Sequence, residues 1–233
     1  MKTNDVFINC PYDKNYAPTL HAIMFTCISL DLNPILSVTD TLDSKRINNI
    51  RKCVLKSIIS IHDLSIMGTC ENSRYNMPLE IGMAVMHHFQ CEESNDKHNI
   101  IILEPQPYLT QKCCSDLNAF DPIVYNKENG FEDLINNLAR SIVGMIGQEN
   151  KLEPYEVFNE FLGFQTFMYN NNLWEKITLN ALRDYMKKYV EHSKHYITDN
   201  KVDIFLKKKL IKTYKSRRWQ HLFCIKDLKN KPS

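Results

Sequence analysis

No stretch of this sequence approaches the roughly 20 consecutive apolar residues of a membrane-spanning helix, so no membrane partner is expected. No Cys-x-x-Cys pair occurs among eight cysteines, at positions 10, 27, 53, 70, 91, 113, 114 and 224. That spacing argues against a zinc site or a disulfide frame, and points to buried thiols in a reducing, cytoplasmic compartment. No internal repeat is present. No glycine-rich loop follows the first strand-like run, where Asn9-Cys10-Pro11-Tyr12 stands instead, which argues against a Rossmann cofactor site. Met1 to Asp5 runs directly into that strand and leaves no room for a signal peptide.

Hydrophobic residues make up 43% of the 233 positions, enough for a normal core. Charge is divided unevenly. From Lys194 onward there are twelve Lys or Arg against three Asp or Glu, a net of +9. The preceding residues carry seventeen basic and twenty-four acidic side chains, a net of −7. An acidic body with a basic tail is the result.

Short apolar runs alternate with helical spacing. Strands are expected at Asp5–Asn9, Pro34–Val38, Ile58–Asp63, Asn99–Leu103 and Pro122–Tyr125. Helices are expected over 17–32, 44–56, 77–89, weakly over 110–118, and over 130–146. Five alternations of strand and helix predict a parallel sheet covered on both faces. A linker at 147–153 separates a domain at 1–148 from a helical region at 149–233. In that region helices are expected over 155–169, 174–190 and 201–214, with a further strand near 219–225.

The densest chemistry lies in Ser73 to Ala84. Asn76 is placed to cap a helix and Pro78 suits its first turn. Glu80 then stands about one turn in, near the positive end of the helix dipole. A carboxylate there can attack or stabilise an electron-poor sugar carbon, or it can simply cap its own helix. Ligands of open α/β sheets bind at the carboxyl ends of the strands. Three segments converge there: Asn9, Cys10, Pro11 and Tyr12 after the first strand, Asp63 after the third, and Arg74 to Glu80 with the Asn76 amide. A nucleoside or nucleotide fits this set, with Asp63 accepting from ribose hydroxyls and Arg74 holding a phosphate.

Val6-Phe7-Ile8-Asn9-Cys10-Pro11-Tyr12-Asp13, Arg46-Ile47, Ile61-His62-Asp63-Leu64-Ser65 and Arg74-Tyr75-Asn76-Met77-Pro78-Leu79-Glu80-Ile81-Gly82 together resemble a bacterial family. That family is similar in layout to nucleoside 2-deoxyribosyltransferases and to TIR domains. The resemblance covers roughly residues 5 to 145. It implies a flavodoxin-like, doubly wound, five-stranded parallel sheet, to which the helical region at 149–233 is expected to be a C-terminal appendage. It also implies cleavage of an N-glycosidic bond, in NAD or a nucleoside, by an antiviral defence or signalling effector. It maps the catalytic glutamate onto Glu80, makes Asp63 a ribose ligand, and makes the Asn9 to Tyr12 turn a wall of the base pocket. No cofactor is implied, and NAD enters as substrate. The sequence departs from deoxyribosyltransferases in having Tyr75-Asn76-Met77-Pro78 where they carry Asp-x-Gly-Thr, and it lacks the Ser/Trp/Cys pattern of TIR domains.

Catalysis on this reading has Glu80 at the anomeric carbon as the base departs. Nicotinamide leaves without help, whereas a purine needs a proton, for which His62 and Asp63 are nearest. Arg46 reads as a residue of a solvated helix face, and His87-His88 as decoration of an exposed one. The run Lys207 to Arg218, with Tyr214 and Trp219, suits either nucleic acid or the acidic body of a second copy of the chain. A nucleotide-binding sensor without turnover, or a self-assembling scaffold, remains the alternative to an enzyme.

Overall fold

The computed structural model describes residues 4–12, 14–38, 45–65, 76–94, 96–126, 131–147, 152–171, 173 and 177–196. Arg74, the basic run Lys207 to Arg218, the expected helix at 201–214 and the expected strand at 219–225 lie outside them.

Five strands form one all-parallel sheet: β1 (Asp5–Asn9), β2 (Asn33–Ile35), β3 (Ile59–Asp63), β4 (Asn99–Glu104) and β5 (Ile123–Val124). Their order is β2-β1-β3-β4-β5, that of a flavodoxin-like doubly wound α/β fold. Every residue of β1 and β3 is buried, as expected of central parallel strands that read as continuous apolar runs. β2 is shorter than its apolar run suggests. Only Asn33, Pro34 and Ile35 find partners, opposite Asp5, Val6 and Phe7, so the edge strand stops before Leu36.

The helices are α1 (Ala17–Ser29), α2 (Arg46–Lys56), α3 (Asn76–Glu93), α4 (Leu109–Cys113), α5 (Glu132–Ile146), α6 (Pro154–Asn170) and α7 (Leu179–Tyr196). A 3-10 segment, Ser115–Phe120, follows α4 and divides what the sequence suggested as one weak helix. α1 stops short of Leu32 because Asp31 takes a left-handed conformation, with φ 59°, that an α-helix cannot continue through. α5 ends at Gly147, whose φ of 61° is the ordinary glycine terminus. α6 starts on a capping box in which Glu153 and Glu156 satisfy each other's backbone N–H groups.

Two compact units interleave along the chain. The first takes the described residues of Met1–Pro11 and Asp31–Asn126, and holds the sheet with α2, α3 and α4. The connections from β2 to β3 and from β3 to β4 run the same way along the sheet, so right-handed crossovers put α2 and α3 side by side on one face. Phe7, Ile35, Ile50, Val54, Ile81 and Ile102 belong to the core beneath them. The second unit takes Tyr12–Leu30 and the described residues from Lys127 onward, and holds α1, α5, α6 and α7. Here the C-terminal appendage, α6 and α7, packs on α1. Phe25 of α1 lies 5.5 Å from Phe161, 5.4 Å from Phe164 and 6.3 Å from Tyr189, measured between ring centroids.

Candidate functional site

Strand order reverses between β1 and β3, so the crevice of this fold opens beyond the carboxyl ends of those two strands. Asn9 ends β1 and Asp63 ends β3, and Asn9 stands directly opposite His62 in the ladder. The structure therefore brings Asn9 and Asp63 to the switch point that the sequence indicated. Cys10 and Pro11 follow and are buried, as Asn9 is. Tyr12 is partly exposed and belongs to the second unit.

Asp63 is 1% exposed and its oxygens are already engaged. Oδ1 accepts the Ser65 backbone N–H at 2.7 Å, and Oδ2 accepts the Tyr125 hydroxyl at 2.6 Å. The tyrosine comes from just after β5, 62 positions away. No local pattern announces such a contact, and the sequence shows Tyr125 only as an apolar strand residue.

His62 faces the other way, into a buried polar chain. Its partners fix each proton. The Ser57 carbonyl accepts from His98 Nδ1–H at 2.8 Å, so the neutral His98 ring accepts at Nε2 from the Ser60 hydroxyl, 3.1 Å away. Ser60 Oγ then accepts from His62 Nε2–H at 3.0 Å, and His62 Nδ1 accepts from the Asn9 amide at 3.1 Å. Burial, and secondarily the neighbouring His98, pushes His62 down to about 3. Burial likewise lowers His98 to about 4, against the opposing effect of its bond to Ser57. His62 is thus neutral at physiological pH, with its one N–H committed to Ser60. The expectation of His62 as a proton donor to a leaving base is corrected: its role is to join β1 to β3.

Glu80 lies one turn into α3 and is buried, with 2% of the residue exposed. A carboxylate taken that far from water needs a charged or hydrogen-bonding partner. Arg46, the first residue of α2, provides one: its Nη2 donates to Glu80 Oε1 at 3.2 Å. The Arg46 side chain is itself 51% exposed, so the pair links the protein interior to solvent. Reading Arg46 as an ordinary solvated residue missed this. The pairing spans 34 positions and exists only because α2 packs against α3. Asn76 is exposed and already helical, at the start of α3 as described.

His87 and His88 are half-buried rather than exposed. The His87 ring lies 4.7 Å from that of His98, and His88 Nδ1 donates to the His98 carbonyl. Among the described residues, no group of three or more His, Cys, Asp or Glu is arranged to hold a metal ion. No disulfide joins the described cysteines, of which Cys10, Cys27, Cys53 and Cys91 are buried. Among the described residues, no helix is long and apolar enough to cross a membrane.

No protein-family model, curated protein or solved structure matches this chain.

Proposed function

We infer that the chain is a cytoplasmic enzyme that cleaves an N-glycosidic bond, as a hydrolase or a transferase, with Glu80 as its catalytic residue. The observation that carries this reading is a deeply buried carboxylate, one turn into the helix after β3, that the Arg46 guanidinium reaches at 3.2 Å. Arg46 favours the ionised form of its partner, which is the form that can bond to or stabilise an electron-poor anomeric carbon.

The neighbouring groups favour NAD over a purine nucleoside as substrate. A purine needs a proton as it leaves; His62 is held neutral with its N–H given to Ser60, and Asp63 accepts at both oxygens, from Ser65 and Tyr125. Nicotinamide in NAD is already cationic. When its bond to the ribose breaks, the electron pair stays on the ring nitrogen and the base departs neutral, with no acid required. The ribosyl cation is captured directly by water, or first by Glu80 as an ester whose C–O bond breaks as water attacks; either way water forms the final C–O bond and gives its proton to solvent. A bacterial defence or signalling effector would use such an activity to consume the nucleotide.

Incubating the full chain with NAD, and separately with deoxynucleosides, and resolving the products chromatographically tests this. Release of nicotinamide by the wild-type chain, lost in Glu80→Gln, is the expected result. Consumption of NAD at the wild-type rate by that variant removes Glu80 from the mechanism.

A second reading, nucleotide binding without turnover, is favoured by the engagement of both Asp63 oxygens and the near-complete cover of Glu80. NAD that raises the melting temperature and is recovered intact distinguishes it.

A further inference from the structure

α3 is apolar on two sides. Met77, Ile81 and Ala84 face the core, while Leu79 and Met86 on the opposite side are 60% and 57% exposed. A surface helix ordinarily carries one apolar stripe, and a second one implies something further to cover it. On the adjacent α2, Leu55 is 46% exposed. Between the two helices runs a groove of about 460 Å³, with Val54, Leu55, Leu79, Met83 and Met86 on its walls. Gly82 also lines it, and a methyl group built there meets no atom within 4 Å. Nothing described in this chain requires a glycine at that position, which costs a helix about 1 kcal/mol relative to alanine. Its effect is to leave a gap in the groove that another side chain can enter.

The two helices also divide charge. α2 carries Arg46, Arg51, Lys52 and Lys56 and no acid. α3 carries Glu80, Glu92 and Glu93 and no Lys or Arg. Some of these charges are matched internally, Arg46 with Glu80, Lys56 with Asp5, and Glu92 with His88 Nε2 at 3.5 Å. Arg51, on the groove wall, makes no ion pair among the described residues, and Glu92 and Glu93 are exposed at the far end of α3. A basic helix beside an acidic one is self-complementary in a single way. A two-fold axis along the groove lays the basic helix of each copy over the acidic helix of the other. An axis across the helices would put basic on basic.

We propose that this α2–α3 face is the contact between two copies of the chain, related by a two-fold axis along the groove. Exposed leucine and methionine side chains of one copy fill the groove of the other, and Arg51 meets the acidic end of the opposing α3. The 18-residue α3 is about 27 Å long. With α2 roughly 10 Å away, the face offers about 500 Å² per copy, or about 1,000 Å² in total. That lies at the low end for a specific interface, the range of weak, reversible pairs.

Sedimentation velocity on the full chain, from low to high micromolar concentration, tests the proposal. A reversible monomer–dimer equilibrium is expected, weakened by added salt because it draws on opposite charges. Leu79→Lys and Met86→Lys alter side chains that are already mostly exposed, so the fold is retained, as circular dichroism will check. Each should weaken association about tenfold or more, which corresponds to about 1.4 kcal/mol. Arg51→Glu should do the same. A chain that stays monomeric throughout overturns the proposal, as does a dimer indifferent to Leu79→Lys and Met86→Lys. A dimer strengthened by salt overturns the orientation of the axis.

Discussion

Replacing Arg46 with methionine keeps much of the side-chain volume and removes the guanidinium charge that reaches Glu80. Unit charges 3.2 Å apart attract by about 5 kcal/mol at an effective dielectric near 20. Most of that is offset. The carboxylate loses hydration on burial, and solvent screens a guanidinium that is half exposed, so the pair approaches a surface salt bridge on one side and a buried one on the other. A net loss of about 1–2 kcal/mol is the expected cost of Arg46→Met. For a chain of this length, that lowers the melting temperature by about 2–8 °C. Glu80→Gln supplies the control, since it keeps the shape and removes the charge that needs a partner. Thermal and urea denaturation of both single variants and the double variant form a cycle. In the Glu80→Gln background, Arg46→Met should cost less than about 0.5 kcal/mol. If Arg46→Met is neutral in the wild-type background, or costs the same in both, the guanidinium does not hold the carboxylate and the account of the site fails.

Two further outcomes follow from the packing. His21, His62 and His98 ordinarily titrate near 6.5, and burial lowers them to about 3, about 3 and about 4. The unfolded chain therefore takes up these protons first as pH falls. Their stabilising contribution is complete above pH 6.5 and drains by about 1.4 kcal/mol per pH unit per histidine between 6.5 and about 4. Urea titrations at pH 7.5, 6 and 5 will show the steepening loss, and a flat profile would contradict neutral burial. In the second unit, a Cβ on Gly163 would collide with the Tyr189 hydroxyl, the end of a ring held by Phe25, Phe164 and Phe167. Gly163→Ala should cost about 1–3 kcal/mol in a denaturant melt, whereas Gly163→Ala with Tyr189→Phe should recover part of it.

The sheet was legible because its strands are written as short, mostly apolar runs. Val6-Phe7-Ile8, Ile59-Ser60-Ile61 and Ile100-Ile101-Ile102 have no other economical disposal than a parallel sheet interior. The placement of Asn9 and Asp63 followed from strand ends alone. What local spacing could not reveal was any contact made by packing. Arg46 reaches Glu80 only because two helices lie side by side, and Tyr125 reaches Asp63 only because β5 closes the sheet next to β4. The apolar periodicity of α6 announced a buried face, with Phe161 and Phe164 on it, without saying that α1 would cover it. His87 and His88 looked solvent-facing from their spacing after Glu80, and they are drawn inward by His98, ten or more positions later.

The line of hydrogen bonds from Asn9 through His62 and Ser60 to His98 settles a matter that hydrophobicity leaves open. Sliding β1 past β3 by one residue would exchange the two faces of the strand, and because both faces are buried, burial alone does not forbid it. Sliding by two residues keeps every face correct, and strands this uniformly apolar would tolerate it. Such a slip would part Asn9 from His62 and strand a buried amide and a buried imidazole, at about 1–3 kcal/mol each. The polar side chains act as the wards of a key, admitting one alignment of the two central strands and thereby fixing how far each loop projects beyond the sheet.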